Sequence, residues 1–247
     1  MAGGDRIASR MMPKSQKLVA LVAGASRGIG KAVARRLAVE GWDLVLVSRT
    51  GKAPVKGFSL RADLTVPEES ERIVAGALRR FGRLDALVHC VGDYAESSLR
   101  RQSPGQWEAL FFSNVHSAFY TARAALAPMR KQGSGRIVFL GMAGVSSLRP
   151  RRTCAAYAAA KTALLSYARS LAVEEAENGI TVNVVSPGVV PHEGAHPSTR
   201  SRSLWEKIPA GRAGKPEEIA AAVRFLLSEE AGYVTGADLP VSGGWML

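Results

Sequence analysis

Cysteine is scarce in this sequence, with only Cys90 and Cys154 among 247 residues. Two thiols cannot build a disulfide scaffold or a four-cysteine metal site, so stability has to come from an apolar core. Both are expected as reduced thiols in a cytoplasmic protein. Aromatic residues are also sparse, at 6%, which is poor material for a surface that stacks on bases. Acidic residues fall short of basic ones, 21 against 33, leaving a formal charge of +12. Such a balance favours an anionic partner, for instance a nucleotide or a phosphate-bearing carrier. Lys and Arg are scattered rather than clustered, which argues against nucleic acid. No uncharged apolar run approaches the roughly 18 residues that a membrane-spanning helix needs. The four histidines, His89, His116, His192 and His196, have no ligand-like spacing beyond the gap between the last two. No metal site is expected.

What is present is ordinary globular material, 47% hydrophobic and 22% charged, enough for one sizeable core. Residues 1–16 carry Gly3, Gly4, Arg6, Arg10 and Lys14 without periodicity and are expected to form a flexible basic tail. Residues 17–247 are expected to form one domain. Leu18–Ala23, Asp43–Ser48, Asp85–Val91, Arg136–Leu140 and Ile180–Val185 read as short strands buried on both faces, with Ala237–Val241 as a last strand. Gly30–Glu40, Pro67–Phe81, Pro104–Gln132, Ala155–Glu177 and Pro216–Leu227 read as helices, three of them opened by a proline suited to a first turn. Strands alternating with helices predict an α/β fold: a doubly wound (Rossmann) parallel sheet with helices on both faces. Thr50 to Gly57 is too short and too rich in Gly and Pro for a helix, so an irregular loop is expected there. Pro187 to Trp205 is the other irregular stretch, long enough to expect a functional loop.

Gly24-Ala25-Ser26-Arg27-Gly28-Ile29-Gly30 follows the first strand and opens the first helix. Glycines there allow a tight turn and a close approach to a pyrophosphate, and the helix N-terminus offers free N–H groups. The residue after the second strand selects the cofactor. An acidic side chain would bind a ribose 2′-hydroxyl, but Ser48 and Arg49 stand there, with Arg27 in the glycine loop. Two guanidiniums favour a 2′-phosphate, hence NADP(H) over NAD.

The glycine loop, Tyr157-Ala-Ala-Ala-Lys161 and Asn183-Val-Val-Ser-Pro187-Gly188 together resemble the short-chain dehydrogenase/reductase family. Ile208 to Ile219 and Val241-Ser-Gly-Gly-Trp245 most resemble its 3-oxoacyl-acyl-carrier-protein reductases. The resemblance implies Tyr157 as catalytic acid/base, Lys161 as its activator and a ligand of the nicotinamide ribose, and Asn114 as holder of a relay water. It implies that Asp63 meets the adenine. Further cofactor contacts are implied at Leu64, Gly92, Pro187, Gly188 and Val190, with the backbone of Ile180 and Val189 framing the cofactor. Tyr157 and Lys161 are also four apart on a predicted helix and so share a face. An ammonium beside the phenol is expected to draw its pKa down from about 10.

The sequence also departs from the resemblance. The family's Ser after the fifth strand, which donates to the substrate carbonyl, is Met142 here, and a thioether cannot donate. Ser146 and Ser147 follow and are candidates to replace it. The family's Asn-Asn-Ala-Gly is His89-Cys90-Val91-Gly92, and its usual carrier-gripping cations are Gly133 and Asn178. Arg149, Arg151 and Arg152 are candidates for gripping an acidic carrier or substrate instead. Two functions follow as expectations. One is an NADPH-dependent keto reductase acting on a small or carrier-bound carbonyl, with a 3-oxoacyl thioester as the candidate. The other is a catalytically weakened NADP(H)-binding or regulatory subunit. A homotetramer, or a hetero-oligomer with a related subunit, is expected from the family's habit of packing its fourth and fifth helices.

Overall fold

A computed structural model describes residues 17–191 and 205–246. Seven parallel strands form one sheet in the order β3-β2-β1-β4-β5-β6-β7. They are β1 (Val19–Ala23), β2 (Asp43–Ser48), β3 (Phe58–Arg61), β4 (Ala86–His89), β5 (Gly135–Leu140), β6 (Ile180–Pro187) and β7 (Asp238–Val241). The central strands are buried along their length save Pro187 at the end of β6, which is why they read as apolar runs. The short Thr50–Gly57 connection is irregular as expected, and it delivers β3 parallel to β2 with Val45 opposite Phe58.

Among the described residues, six α-helices cover the sheet: α1 (Gly28–Val39), α2 (Pro67–Phe81), α3 (Pro104–Phe111), α4 (Ser117–Gln132), α5 (Ala155–Glu175) and α6 (Pro216–Leu227). One core layer joins the sheet to α2, α4 and α5 through residues such as Ile73, Met129, Phe139 and Leu164. The other joins it to α1 and α6 through Val33, Leu37, Ile219 and Val223. Local chemistry sets the helix ends. Pro67 occupies the first turn of α2 beside Glu68 and Glu69, and Gly82 ends the helix at φ 75°. Ser103 and Gln106 close a capping box on α3.

Two elements differ from the sequence reading: β3 (Phe58–Arg61) is not among the strands read there, and one helix is broken. The predicted single helix Pro104–Gln132 is interrupted by a π-helical turn, Phe112–His116, where the Ser117 N–H bonds to Phe112 O five residues back. The wider turn frees Leu110 O, and the Asn114 amide Nδ2 takes it at 3.0 Å. Ser117 Oγ donates to Ser113 O at 2.6 Å and Thr121 Oγ1 to Ser117 O at 2.7 Å. The Asn114 amide on this buried helix face therefore takes a carbonyl that the π turn frees, while the Ser117 and Thr121 hydroxyls bond one turn back along the helix.

The chain order reverses between β1 and β4, and the cleft beyond their C-terminal ends is where doubly wound sheets bind ligands. No helix among the described residues is long and apolar enough to cross a membrane.

Candidate active site

The glycine loop lies over the ends of β1 and β2, where Gly24 N and Ala25 N donate to Val47 O at 2.9 and 3.1 Å. Gly24 and Gly28 sit at φ 81° and 53°, in the left-handed region that favours glycine. A Cβ at Gly30 would overlap Gly24 O and stand 2.8 Å from Gly24 C, so α1 can meet the turn only through a bare Cα. Gly30→Ala is expected to push α1 off the turn and lower stability by about 1–3 kcal/mol. Thermal unfolding with and without nucleotide checks this. An unchanged Tm and unchanged nucleotide affinity would contradict it.

The first turn of α1 contains no acidic residue and its cap, Arg27, gives no side-chain bond, whereas α2 and α6 both open with glutamates. Its free N–H groups are left for an external anion. Open space surrounds the Gly28 Cα. Arg27 and Arg49 are exposed, Ser26 and Ile29 are partly covered, and Arg49 lies 3.8 Å from Asp93 in a loose, solvated ion pair. Arg49, Arg61, Asp63 and Glu69 line a surface depression beside β3. Asp63 Oδ1 accepts from Thr65 Oγ1 at 2.7 Å and Thr65 N at 3.0 Å, and these bonds hold its carboxyl below the usual range. Leu64 is buried behind it. These residues fit a dinucleotide.

Tyr157 and Lys161 lie on the first turns of α5, with the Lys161 ammonium 5.6 Å from the Tyr157 ring centroid. Lys161 is buried and donates to Leu140 O at 2.6 Å, where β5 ends. Burial pulls its pKa down to about 8. The sequence expectation for Tyr157 needs correction. Burial pushes its phenol up to about 12, with the nearby Cys154 adding to the rise, and Lys161 does not offset it. Spacing on a helix set the proximity but not the desolvation.

The π turn aims Asn114 at the same place. Asn114 Nδ2 also donates to Asp93 O at 3.0 Å, while its buried Oδ1 finds no partner among the described residues. A Cβ at Gly92 would overlap Asn114 Oδ1 and stand 3.3 Å from Lys161 Nζ, so glycine lets these two groups converge. His89 is buried beneath them at the end of β4, its ring 6.2 Å from Phe139. Burial, and then the charge of Lys161, lower its pKa to about 3. Cys90 is pushed up to about 12 by burial, and both cysteines are free.

Beyond β6, Pro187 O accepts from Ala143 N at 3.0 Å and Gly188 N donates to Val241 O at 3.0 Å. Val189 O accepts from Gly214 N at 2.9 Å, and Val190 packs on the α1–α6 core layer. Ile180 needs correction too. It starts β6 opposite Gly135, inside the core and at the end of the sheet away from the cleft. Asn183 is structural, donating to Val234 O and accepting from Ala237 N.

Met142 packs partly buried against the α2–α4–α5 layer. Ser146 and Ser147 are both exposed, and Ser147 Oγ donates to Gly144 O at 2.9 Å. Arg151 Nη2 donates to Ala143 O at 3.2 Å, tying the arginine loop to the site, while Arg149 and Arg152 lie on its exposed side. The sequence reading missed Tyr94, whose ring stands edge to face on Tyr157 with centroids 5.0 Å apart. The pairing of Ser97 with Cys154 brings that loop over α5, and nothing in its composition announces it. No group of three or more His, Cys, Asp or Glu is placed to hold a metal among the described residues, and His192 and His196 lie outside them.

A nucleotide cleft at the sheet's switch point, with a Tyr–Lys helix facing it, defines a dinucleotide-dependent oxidoreductase. Known proteins agree with this class. The family model described as enoyl-(acyl carrier protein) reductase matches residues 24–246. The 3-oxoacyl-[acyl-carrier-protein] reductase of Escherichia coli (strain K12) is 36% identical over 92% of this chain and 96% of its own length. The acetoacetyl-CoA reductase of Allochromatium vinosum is 34% identical over 92% of this chain and 97% of its own. Among solved structures, a blue fluorescent protein from a metagenomic library, in complex with NADPH, superposes with a TM-score of 0.86 at 32% identity, covering 94% of this chain and 99% of that one. The chain therefore belongs to the short-chain dehydrogenase/reductase family.

Proposed function

We propose that the protein is an NADPH-dependent reductase of a keto group, with a 3-oxoacyl thioester as substrate. The observation that carries this reading is the convergence of Lys161 and Asn114 on Gly92, with the Tyr157 ring beside Lys161, at the edge of the nucleotide cleft. The names of the relatives, reductases of 3-oxoacyl-carrier and acetoacetyl-CoA substrates, support the substrate class.

NADPH, when bound, supplies the hydride for the carbonyl carbon. The free N–H groups of the first turn of α1 hold its pyrophosphate, and Arg27 and Arg49 take the 2′-phosphate. Tyr157, held protonated by burial, keeps a proton ready for the carbonyl oxygen. The Lys161 ammonium, 5.6 Å from the Tyr157 ring centroid, is placed to pass a proton back toward the phenolate that the transfer leaves. Asn114 Oδ1, without a protein partner, is free to order a water that returns a proton to this pair. Exposed Trp107, Phe112 and Phe119 on α3, the π turn and α4, and Val173 on α5, support packing against a second copy.

Arg49→Ala is expected to weaken NADPH binding by about 10- to 100-fold, the worth of a charge-assisted contact, and to leave NADH binding little changed. Fluorescence titration of both nucleotides checks this, and equal losses for the two would contradict the 2′-phosphate assignment. Steady-state NADPH oxidation with a short 3-oxoacyl thioester tests the activity itself. Met142 favours a second reading, a subunit that holds NADP(H) beside an active relative. Recovery of mixed oligomers in a pull-down, with no turnover by this chain alone, would favour that reading.

A further inference from the structure

We infer that Tyr94 supplies the hydrogen bond to the substrate oxygen that Met142 cannot give. This inference rests on the keto-reductase reading above. The loop after β4 is fixed at both ends. At its start Asn114 Nδ2 donates to Asp93 O at 3.0 Å and Asp93 N donates to Ser113 Oγ at 3.3 Å. At its end Ser97 N donates to Thr153 O at 2.6 Å, and Ser97 pairs with Cys154, just ahead of Tyr157. Between these anchors the Tyr94 ring meets the Tyr157 ring at an interplanar angle of 88°. Tyr94 is 59% exposed while Tyr157 is largely covered, so Tyr94 stands on the open side from which a carbonyl must approach.

Tyr94 is the hydroxyl donor in ring contact with Tyr157. Met142 carries no donor, and Ser147 Oγ is bonded to Gly144 O. The Tyr94 hydroxyl donates to Glu96 Oε1 at 2.7 Å, and Glu96 is exposed. A phenolic proton has two in-plane orientations. Turning it from a solvated carboxylate to the substrate oxygen leaves Glu96 to water, so no buried acceptor is stranded. Partial burial and the Glu96 carboxylate both hold the Tyr94 phenol protonated, which keeps it a donor and leaves proton transfer to Tyr157.

The test compares kcat and KM for NADPH oxidation with a 3-oxoacyl thioester in the native protein, Tyr94→Phe, Met142→Ser and the double variant. Tyr94→Phe keeps the ring contact and removes only the hydroxyl. Its kcat is expected to fall about 100-fold, the typical worth of one polarising donor, with a much smaller change in KM. Met142→Ser is expected to restore most of that loss in the Tyr94→Phe background, and to raise the native rate far less. Native turnover by Tyr94→Phe would overturn the inference. So would an inert native protein that Met142→Ser activates, a result that leaves the reductase reading standing. If native and Met142→Ser both bind NADPH and both stay inert, the reductase reading fails and this inference fails with it.

Discussion

Tyr157→Phe is expected to lower kcat by roughly 10³-fold while the protein still folds and binds NADPH. Removing a positioned general acid typically costs 10²- to 10⁴-fold. Phenylalanine preserves the ring that Tyr94 packs on and the ring face beneath Lys161, so packing is kept. What disappears is the phenolic proton, which burial keeps in place to still higher pH. Steady-state kinetics with a 3-oxoacyl thioester, beside a nucleotide titration, separate the two effects. A variant that loses nucleotide affinity and turnover in equal measure would place Tyr157 in binding rather than in proton transfer.

The second large effect concerns acid stability. His89 titrates at about 3 in the folded protein, against an ordinary value of 6.5. Between those two values the unfolded chain binds a proton that the native state refuses. Stability from this residue is therefore fully present above pH 6.5 and falls as pH drops through the window, by about 1.4 kcal/mol per unit. By pH 4 the loss amounts to about 3 kcal/mol, a large share of a typical domain's stability. Lys161, lowered to about 8 by burial, works in the same direction at higher pH. Its unfolded form keeps the proton up to its ordinary value, so stability rises with pH across that interval. His89→Leu removes the acid-side titration and keeps an apolar neighbour for Phe139. Urea midpoints from pH 7 to pH 4 are expected to slide steeply for the native protein and less for the variant. Carboxylates common to both proteins cancel in the difference. Parallel curves would contradict the assignment.

Much of this molecule is legible in its sequence for simple physical reasons. Strands buried on both faces leave apolar runs such as Val19–Ala23, and a dinucleotide turn must be rich in glycine. The Gly30 contact with Gly24 shows why that glycine cannot be replaced without cost. The π turn at Phe112–His116 was hidden because the apolar pattern continues across it. Its trace is the series Ser113, Asn114, Ser117 and Thr121, polar residues on a buried face, whose bonds back to the helix show only once the fold is known. Tyr94 was hidden for a different reason. Its place over Tyr157 depends on the long-range pairing of Ser97 with Cys154. The rise in the Tyr157 pKa was hidden because helix spacing reports neighbours, not exclusion of water. Ile180 was misplaced because a family match at one end of β6 says nothing about which end faces the cleft.

The most direct test of the central claim follows the hydride. NADPH deuterated at the transferring position of its nicotinamide is incubated with the native protein and a short 3-oxoacyl thioester, and the product is analysed by mass spectrometry. The predicted result is one deuterium on the new carbinol carbon, formed at a rate that Tyr157→Phe reduces roughly 10³-fold. A native protein that binds the nucleotide and transfers no deuterium to any 3-oxoacyl or simple ketone acceptor would contradict the reductase account.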